Sequence, residues 1–102
     1  MAKPNVTGSA RAYELCVIFD ASLGDKKAIL LVEKYLEVIS NDGGTVEKID
    51  TLGRRKFEYE IDKKTEGIYI IVNFTCTSDT TNELVRRLAL DENTIRHKVF
   101  RG

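Results

Sequence analysis

Residues 45–76 read TVEKIDTLGRRKFEYEIDKKTEGIYIIVNFTC and contain two strand-like runs joined by a polar segment. In the first run, residues 45–61, Val46 and Ile49 have opposite parity while Phe57, Tyr59 and Ile61 share one, which predicts a bend or a β-bulge near Gly53. The polar segment DKKTEG predicts a turn, and the apolar run at residues 68–76 predicts the next strand. Together these patterns predict an antiparallel hairpin in the middle of the chain.

The segments on either side of this hairpin each show the periodicity of one strand and one helix. Residues 13–20 have strand periodicity, and residues 26–41 place apolar side chains at helical spacing before a Gly-Gly pair. A second helix is expected to open at Thr77 or Ser78, and a last strand at about residues 95–100. The order β-α-β-β-α-β predicts an α+β fold, the ferredoxin-like split β-α-β sandwich, with a four-stranded antiparallel sheet and two helices on one face.

The length of 102 residues allows one domain with a single core. Residues 1–11 contain few apolar side chains and are expected to form a flexible N-terminal leader, so that residues 12–101 make up the single domain. The chain lacks an apolar run of the ~20 residues needed to cross a bilayer, and its start, MAKPNVTGSAR, lacks the apolar core of a signal peptide. A cytoplasmic protein is therefore predicted.

Strand parity predicts which side chains face the helices and which face the opposite, open side of the sheet. The first and third strands are expected to direct these side chains under the helices: Leu15, Val17, Phe19, Ile70, Val72 and Phe74. The residues between them, Cys16, Ile18, Tyr69 and Ile71, are expected on the open side as a contiguous apolar patch that binds a partner. Cys16 and Cys76 have opposite parity, so no disulfide is expected between them.

The residues needed for catalysis are missing from the sequence. The chain has one histidine, His97, no CxxC pair and no Gly-rich phosphate loop, so we predict no enzyme activity, no metal site and no cofactor. Neither an RNA-recognition motif nor an acylphosphatase is indicated: Ile68 and Ile70 stand where the former has stacking aromatics, and DASLGDKK stands where the latter has its arginine-bearing loop. A ligand-binding or regulatory homodimer that uses the open face remains an alternative.

Sixteen basic and sixteen acidic residues cancel, so nucleic acid would have to be bound by a local basic patch. The strongest candidate is the basic triplet Arg54, Arg55 and Lys56, which follows Gly53 and precedes two aromatic residues. Arginine binds phosphate through two parallel hydrogen bonds, and aromatic rings pack on sugars or bases. Further basic residues lie in the last strand and in the second helix.

The segments YELCVIFD, NDGGTVEKIDTLGRRKFEYEIDKKTEGIYIIVNF and LALDENTIRHKVFR resemble the bacterial small-subunit ribosomal protein six family. The resemblance covers nearly all of residues 12–101, and its most specific part is the Leu-Gly-Arg-Arg step of the hairpin. It implies a non-catalytic ferredoxin-like protein of the cytoplasmic ribosome. It also implies two partners: the central domain (platform) of the small-subunit ribosomal RNA, and small-subunit ribosomal protein eighteen. No membrane and no small-molecule substrate are expected.

The resemblance also implies where RNA would be bound. The expected RNA-binding residues are Arg11, Arg54, Arg55, Lys56, Arg96 and Arg101. Glu58 and Glu60 depart from the family pattern, which has a small apolar residue and a proline at these positions in many members. Two acidic charges therefore follow the basic triplet along the same strand.

Overall fold

The computed structural model describes residues 10–61 and 63–101. Its strands and helices follow the predicted order: β1 (Arg11–Asp20), α1 (Gly24–Asn41), β2 (Thr45–Ile61), β3 (Lys64–Cys76), α2 (Ser78–Leu90) and β4 (Thr94–Arg101), with a short 3-10 helix, Ala21–Leu23, before α1. Most of the predicted leader, residues 1–9, lies outside the described residues. Its last residue, Arg11, belongs to β1, so this strand begins two residues before the predicted start at residue 13.

The sheet has the strand order β2-β3-β1-β4, and each neighbouring pair is antiparallel, which confirms the predicted ferredoxin-like arrangement. The two apolar strands β1 and β3 lie in the centre, and the charged strands β2 and β4 lie at the edges. Polar edge strands discourage further strand pairing, whereas a central strand can be apolar on both sides.

Both helices pack on one face of the sheet, and the core lies between them and the strands. The six side chains predicted to lie under the helices are all fully buried, and α1 and α2 contribute residues such as Ala28, Val32, Leu84 and Leu88. α1 has no side-chain cap: its N-cap residue is Leu23, so Asp25 acts only as a negative charge in the first turn. α2 begins as predicted, with the Thr77 hydroxyl accepting a hydrogen bond from the Thr80 amide.

β2 is irregular along its length. The pairing of β2 with β3 shifts between Thr51 and Gly53, and Gly53 has φ of 84°, which confirms the bulge predicted there. Two further register shifts lie between Val46 and Lys48 and between Lys56 and Ile61. Each bulge changes which face the following residues reach, so counting along the sequence is unreliable for this strand.

The hairpin turn is shorter than predicted. Residues 62–67 were expected to form the turn, but β3 already begins at Lys64. The reason is that Gly67 pairs with Asp20, the last residue of β1, so residues 64–66 extend past β1 and pair with β2 alone. Without a neighbouring strand to bury them they stay polar, and their sequence is typical of a loop. This extension, Lys56–Ile61 with Lys64–Glu66, is called the hairpin arm below.

The two cysteines lie on opposite sides of the sheet, and both thiols are free, as predicted. Cys76 is buried under the helices, and its sulfur lies 3.1 Å from the Thr81 hydroxyl oxygen, within hydrogen-bond distance. Cys16 is half-buried on the open side. Burial raises the pKa of both thiols above the ordinary value, which favours the neutral form of each.

Candidate functional site

The open side of the sheet brings together the four residues predicted to bind a partner. Cys16 pairs with Ile71 across the β1–β3 ladder, and Ile18 pairs with Tyr69. All four are half-buried, whereas Val17, which lies between two of them, is fully buried on the other side. They form a contiguous apolar surface, called the open-face patch below.

Phe57 extends the open-face patch toward the hairpin arm. Its ring centroid lies 6.2 Å from that of Tyr69, with an angle of 59° between the ring planes. Gly67 makes this packing possible, because a Cβ there would lie 2.5 Å from the Ile18 Cγ2 atom and 2.9 Å from the Phe57 Cζ atom. The sequence placed Phe57 only beside the basic triplet. Because Gly67 ends the polar segment that predicts a turn, the sequence carried no signal for this close approach.

β4 adds a basic border to the patch. Arg96 pairs with Ile18 and Lys98 with Cys16, so both side chains belong to the open side. The Lys98 ammonium lies 5.6 Å from the centre of the Phe100 ring, a cation–π arrangement, and Phe100 is 47% exposed. Lys98 is one of the further basic residues of the last strand but, like Phe100, is not in the expected RNA-binding set, although the alternation in RHKVFR places both on the same face as Arg96.

Carboxylates also border the open-face patch. Glu14 pairs with Phe100, and Asp50 pairs with Ile71 and forms an ion pair with Lys48 at 3.3 Å. Burial is the largest cause that raises the pKa of the Cys16 thiol, and the negative charge of Glu14 raises it further. The open side therefore has an apolar centre that is bordered by cations and by carboxylates.

The structure does not bring the predicted RNA-binding residues into one patch. Arg55 and Arg96 lie on the open side, since Arg55 is opposite Gly67 in the β2–β3 ladder. Arg11 and Arg101 are near the start of β1, where they pair with Cys76 and Tyr13. The start of β1 lies roughly 30 Å from its other end, which is level with the basic triplet, because a strand rises about 3.4 Å per residue.

The other two members of the triplet lie on the helix side of the sheet. Arg54 is opposite Ile68 and Lys56 is opposite Glu66. The Arg54 guanidinium donates a hydrogen bond of 3.3 Å to the Ala21 carbonyl oxygen and lies 3.8 Å from a carboxylate oxygen of Glu66. Arg54 thus ties β2 to the turn between β1 and α1.

A second ion pair strengthens this corner. The Lys64 ammonium lies 2.8 Å from one carboxylate oxygen of Asp20, and the other accepts a 3.0 Å hydrogen bond from the Ser22 amide. The hydrogen bond from Lys64 is the largest cause that lowers the pKa of Asp20, to about 2. Asp20, Arg54, Lys64 and Glu66 are called the corner cluster below.

Among residues 10–61 and 63–101, no group of three or more histidine, cysteine, aspartate or glutamate side chains is placed to hold a metal ion. Within the same residues, no helix has the length and apolar character that crossing a membrane requires. The arrangement on the open side, an apolar centre with charged borders, is suited to binding a macromolecule.

Comparison with known proteins gives a consistent result. The family model described as Ribosomal protein S6 matches residues 12–101. The small ribosomal subunit protein bS6 of Arthrobacter sp. (strain FB24) is 50% identical over 91 residues, which cover 89% of this chain and 90% of the relative. The protein of the same name from Cutibacterium acnes is 46% identical over 91 residues, covering 89% and 95%.

Two solved structures share the fold. The crystal structure of 30S ribosomal protein S6 from Thermotoga maritima matches with a TM-score of 0.83 and 31% identity, over 91% of this chain and 88% of that one. The C-terminal domain of the MgtC protein from Mycobacterium tuberculosis matches with a TM-score of 0.65 and 18% identity, over 97% and 94%. At 18% identity the second match shows the fold alone, and a fold by itself does not identify a function.

Proposed function

The chain belongs to the ribosomal protein S6 family, and on that basis we propose that it binds the central domain of the small-subunit ribosomal RNA together with small-subunit ribosomal protein eighteen. Membership confirms the coarser predictions: the protein is a non-enzymatic component of the small ribosomal subunit in the cytoplasm. The contacts with RNA and with the protein partner are the proposal.

The observation that carries the proposal is the open-face patch with its basic border. A surface with an apolar centre suits a protein partner, because aliphatic and aromatic side chains are stabilised when they leave water. Cations beside it suit RNA phosphates, because each phosphate contact releases condensed counterions. We propose that Cys16, Ile18, Tyr69 and Ile71 contact the protein partner. The RNA contacts come from those predicted cations that share the open side with the patch, Arg55 and Arg96.

The absence of net charge supports joint binding of RNA and protein. Sixteen basic and sixteen acidic residues give the chain no long-range attraction for RNA. A few phosphate contacts then give weak affinity, which a simultaneous protein contact raises, since the second contact forms within the same complex. We therefore expect tight binding only when protein eighteen is present.

The test is a binding titration of central-domain RNA with and without protein eighteen, accompanied by co-sedimentation with small subunits. Ile71→Asp places a charge in the open-face patch and should weaken cooperative binding by tenfold or more, the order of a moderate interface hot spot. The matched control is Leu30→Asp in α1, because Leu30 is apolar, 61% exposed and outside the patch. It should bind like the wild type.

Two results would contradict the proposal. One is equal weakening by both aspartate variants. The other is a wild-type protein that stays out of the small-subunit fraction and forms a homodimer through the open face, which is what the regulatory alternative predicts.

A further inference from the structure

We infer that the sheet divides the basic triplet: Arg55 binds a phosphate of the RNA, whereas Arg54 holds the hairpin to the corner between β1 and α1. The inference rests on the proposed function, because it names the residue of the triplet that meets the RNA. The sequence treats Arg54, Arg55 and Lys56 as one basic segment, and the structure separates them.

The β2–β3 pairing separates the three side chains. Neighbouring residues of a strand point to opposite faces. Arg54 is opposite the buried Ile68 on the helix side, and Lys56 is opposite Glu66 on that same side. Arg55 is opposite Gly67, the residue over which the Phe57 ring approaches Ile18 on the open side. Of the triplet, Arg55 is therefore the member that shares a face with the open-face patch.

The surroundings of Arg54 disfavour a phosphate. Its guanidinium already donates to the Ala21 carbonyl oxygen and faces the Glu66 carboxylate at 3.8 Å. The lining of this corner contains two carboxylates, Asp20 and Glu66, which compensate two of its three cations, Arg54, Lys63 and Lys64. A phosphate bound here would be repelled by both carboxylates and would have to replace the contacts that hold the hairpin.

The surroundings of Arg55 favour a phosphate. Arg55 is exposed, and within residues 10–61 and 63–101 its side chain makes no hydrogen bond or ion pair. Asp20 lies in the same row of the sheet, on the far side of β3, but its carboxylate is already bound by Lys64 and the Ser22 amide. The Phe57 and Tyr69 rings on the same face offer a surface on which a sugar or base can pack.

The experiment compares Arg55→Gln with Arg54→Gln and Lys56→Gln, each of which removes one positive charge from the triplet. Binding to central-domain RNA in the presence of protein eighteen is measured over a salt series, and thermal unfolding is measured for the isolated proteins. Arg55→Gln should weaken binding roughly tenfold, the order expected for one hydrogen bond to a charged group. It should also reduce the slope of log K against log salt by about 0.7 to 0.9, with an unchanged unfolding midpoint.

The controls separate charge from structure. Arg54→Gln should lower the unfolding midpoint and leave the salt slope unchanged, and Lys56→Gln should leave both unchanged. Arg55→Lys should keep the slope, because the charge remains, but lose part of the affinity with the two-point geometry of the guanidinium.

The outcomes distinguish this inference from the proposed function. If the wild type binds and Arg54→Gln reduces the salt slope as much as Arg55→Gln does, the inference is overturned while the proposed function stands. The inference is likewise overturned, and the proposed function stands, if Arg55→Gln keeps the wild-type slope of log K against log salt. If the wild type itself does not bind RNA with protein eighteen, the proposed function fails and this inference fails with it.

Discussion

The two faces of β3 place neighbouring residues of the same kind in different environments. Ile70 is fully buried under the helices, and Ile71, the next residue, is half-buried in the open-face patch. Both side chains have the same volume and the same free energy of transfer from water. Ile70 has left water completely within the folded chain, whereas Ile71 remains partly exposed to it. Burial against the helices therefore stabilises the fold, and exposure on the open side leaves apolar area for recognition.

The first prediction compares these two isoleucines and has the largest expected effect. Ile70→Ala should lower the free energy of unfolding by about 2–5 kcal/mol, because it removes buried methyl groups and leaves a cavity in the core. Ile71→Ala should lower it by about 1 kcal/mol or less, since roughly half of its transfer free energy is realised in the isolated protein. Denaturant unfolding of both variants measures the difference. Equal losses of stability would show that the two faces are not distinct in burial.

The second prediction compares a glycine on each side of the sheet. A Cβ on Gly44 would lie 2.7 Å from the Thr75 carbonyl oxygen and 2.8 Å from the Cys76 Cβ atom. A Cβ on Gly67 would meet two side chains most closely, the Ile18 methyl group and the tip of the Phe57 ring, and would lie 3.0 Å from the Phe19 carbonyl oxygen. Side chains at an open surface move more easily than backbone.

Gly44→Ala should accordingly cost near the upper end of the ~1–3 kcal/mol typical of overpacking, and Gly67→Ala near its lower end. Unfolding midpoints of the two variants test the order. Gly67→Ala should in addition displace the Phe57 ring and change the near-ultraviolet circular dichroism of the native protein. A larger stability loss for Gly67→Ala than for Gly44→Ala would show that the open side is packed as rigidly as the core.

The third prediction concerns the corner cluster and has the smallest effect. In the folded protein the pKa of Asp20 is lowered from 3.8 to about 2. A lowered pKa in the folded state means that the stabilisation is fully present above the unfolded pKa and is lost as the pH falls through the folded pKa. Asp20 should therefore contribute to acid unfolding between about pH 4 and pH 2.

Asp20→Asn should remove this part of the pH dependence and lower stability at pH 7 by about 1 kcal/mol or less, because the Lys64 side chain is half exposed to solvent. Unfolding curves from pH 2 to pH 7 measure it. Asp25→Asn, at an exposed position in the first turn of α1, is the control. A wild-type pH profile in Asp20→Asn would mean that the ion pair with Lys64 does not form in solution.

Prediction from the sequence was most successful where one period continued without interruption. The alternation of apolar residues in β1 and in the apolar part of β3 correctly predicted that Val17 and Ile70 lie in the core. It also predicted that the four residues of the open-face patch share the other side of the sheet. It was least successful in the hairpin arm, where DKKTEG predicted a turn but four of its six residues belong to β3. Those residues pair with β2 beyond the end of β1, so no buried face imposes an apolar pattern on them.

The sequence by itself determined the order of elements, the fold and the two sides of the central strands, because these follow from local periodicity. Only the tertiary structure decided which cations share a face. Arg55 and Arg96 lie on the same open side, at opposite edges of the sheet, because strand pairing brings together residues that are far apart in the chain. Arg54 and Arg55 separate because neighbouring side chains of a strand alternate, and the pairing with β3, which contains three register shifts, decides that Arg55 is the one on the open side. A bulge moves every following side chain to the other face, and its position depends on the partner strand as much as on the sequence around it.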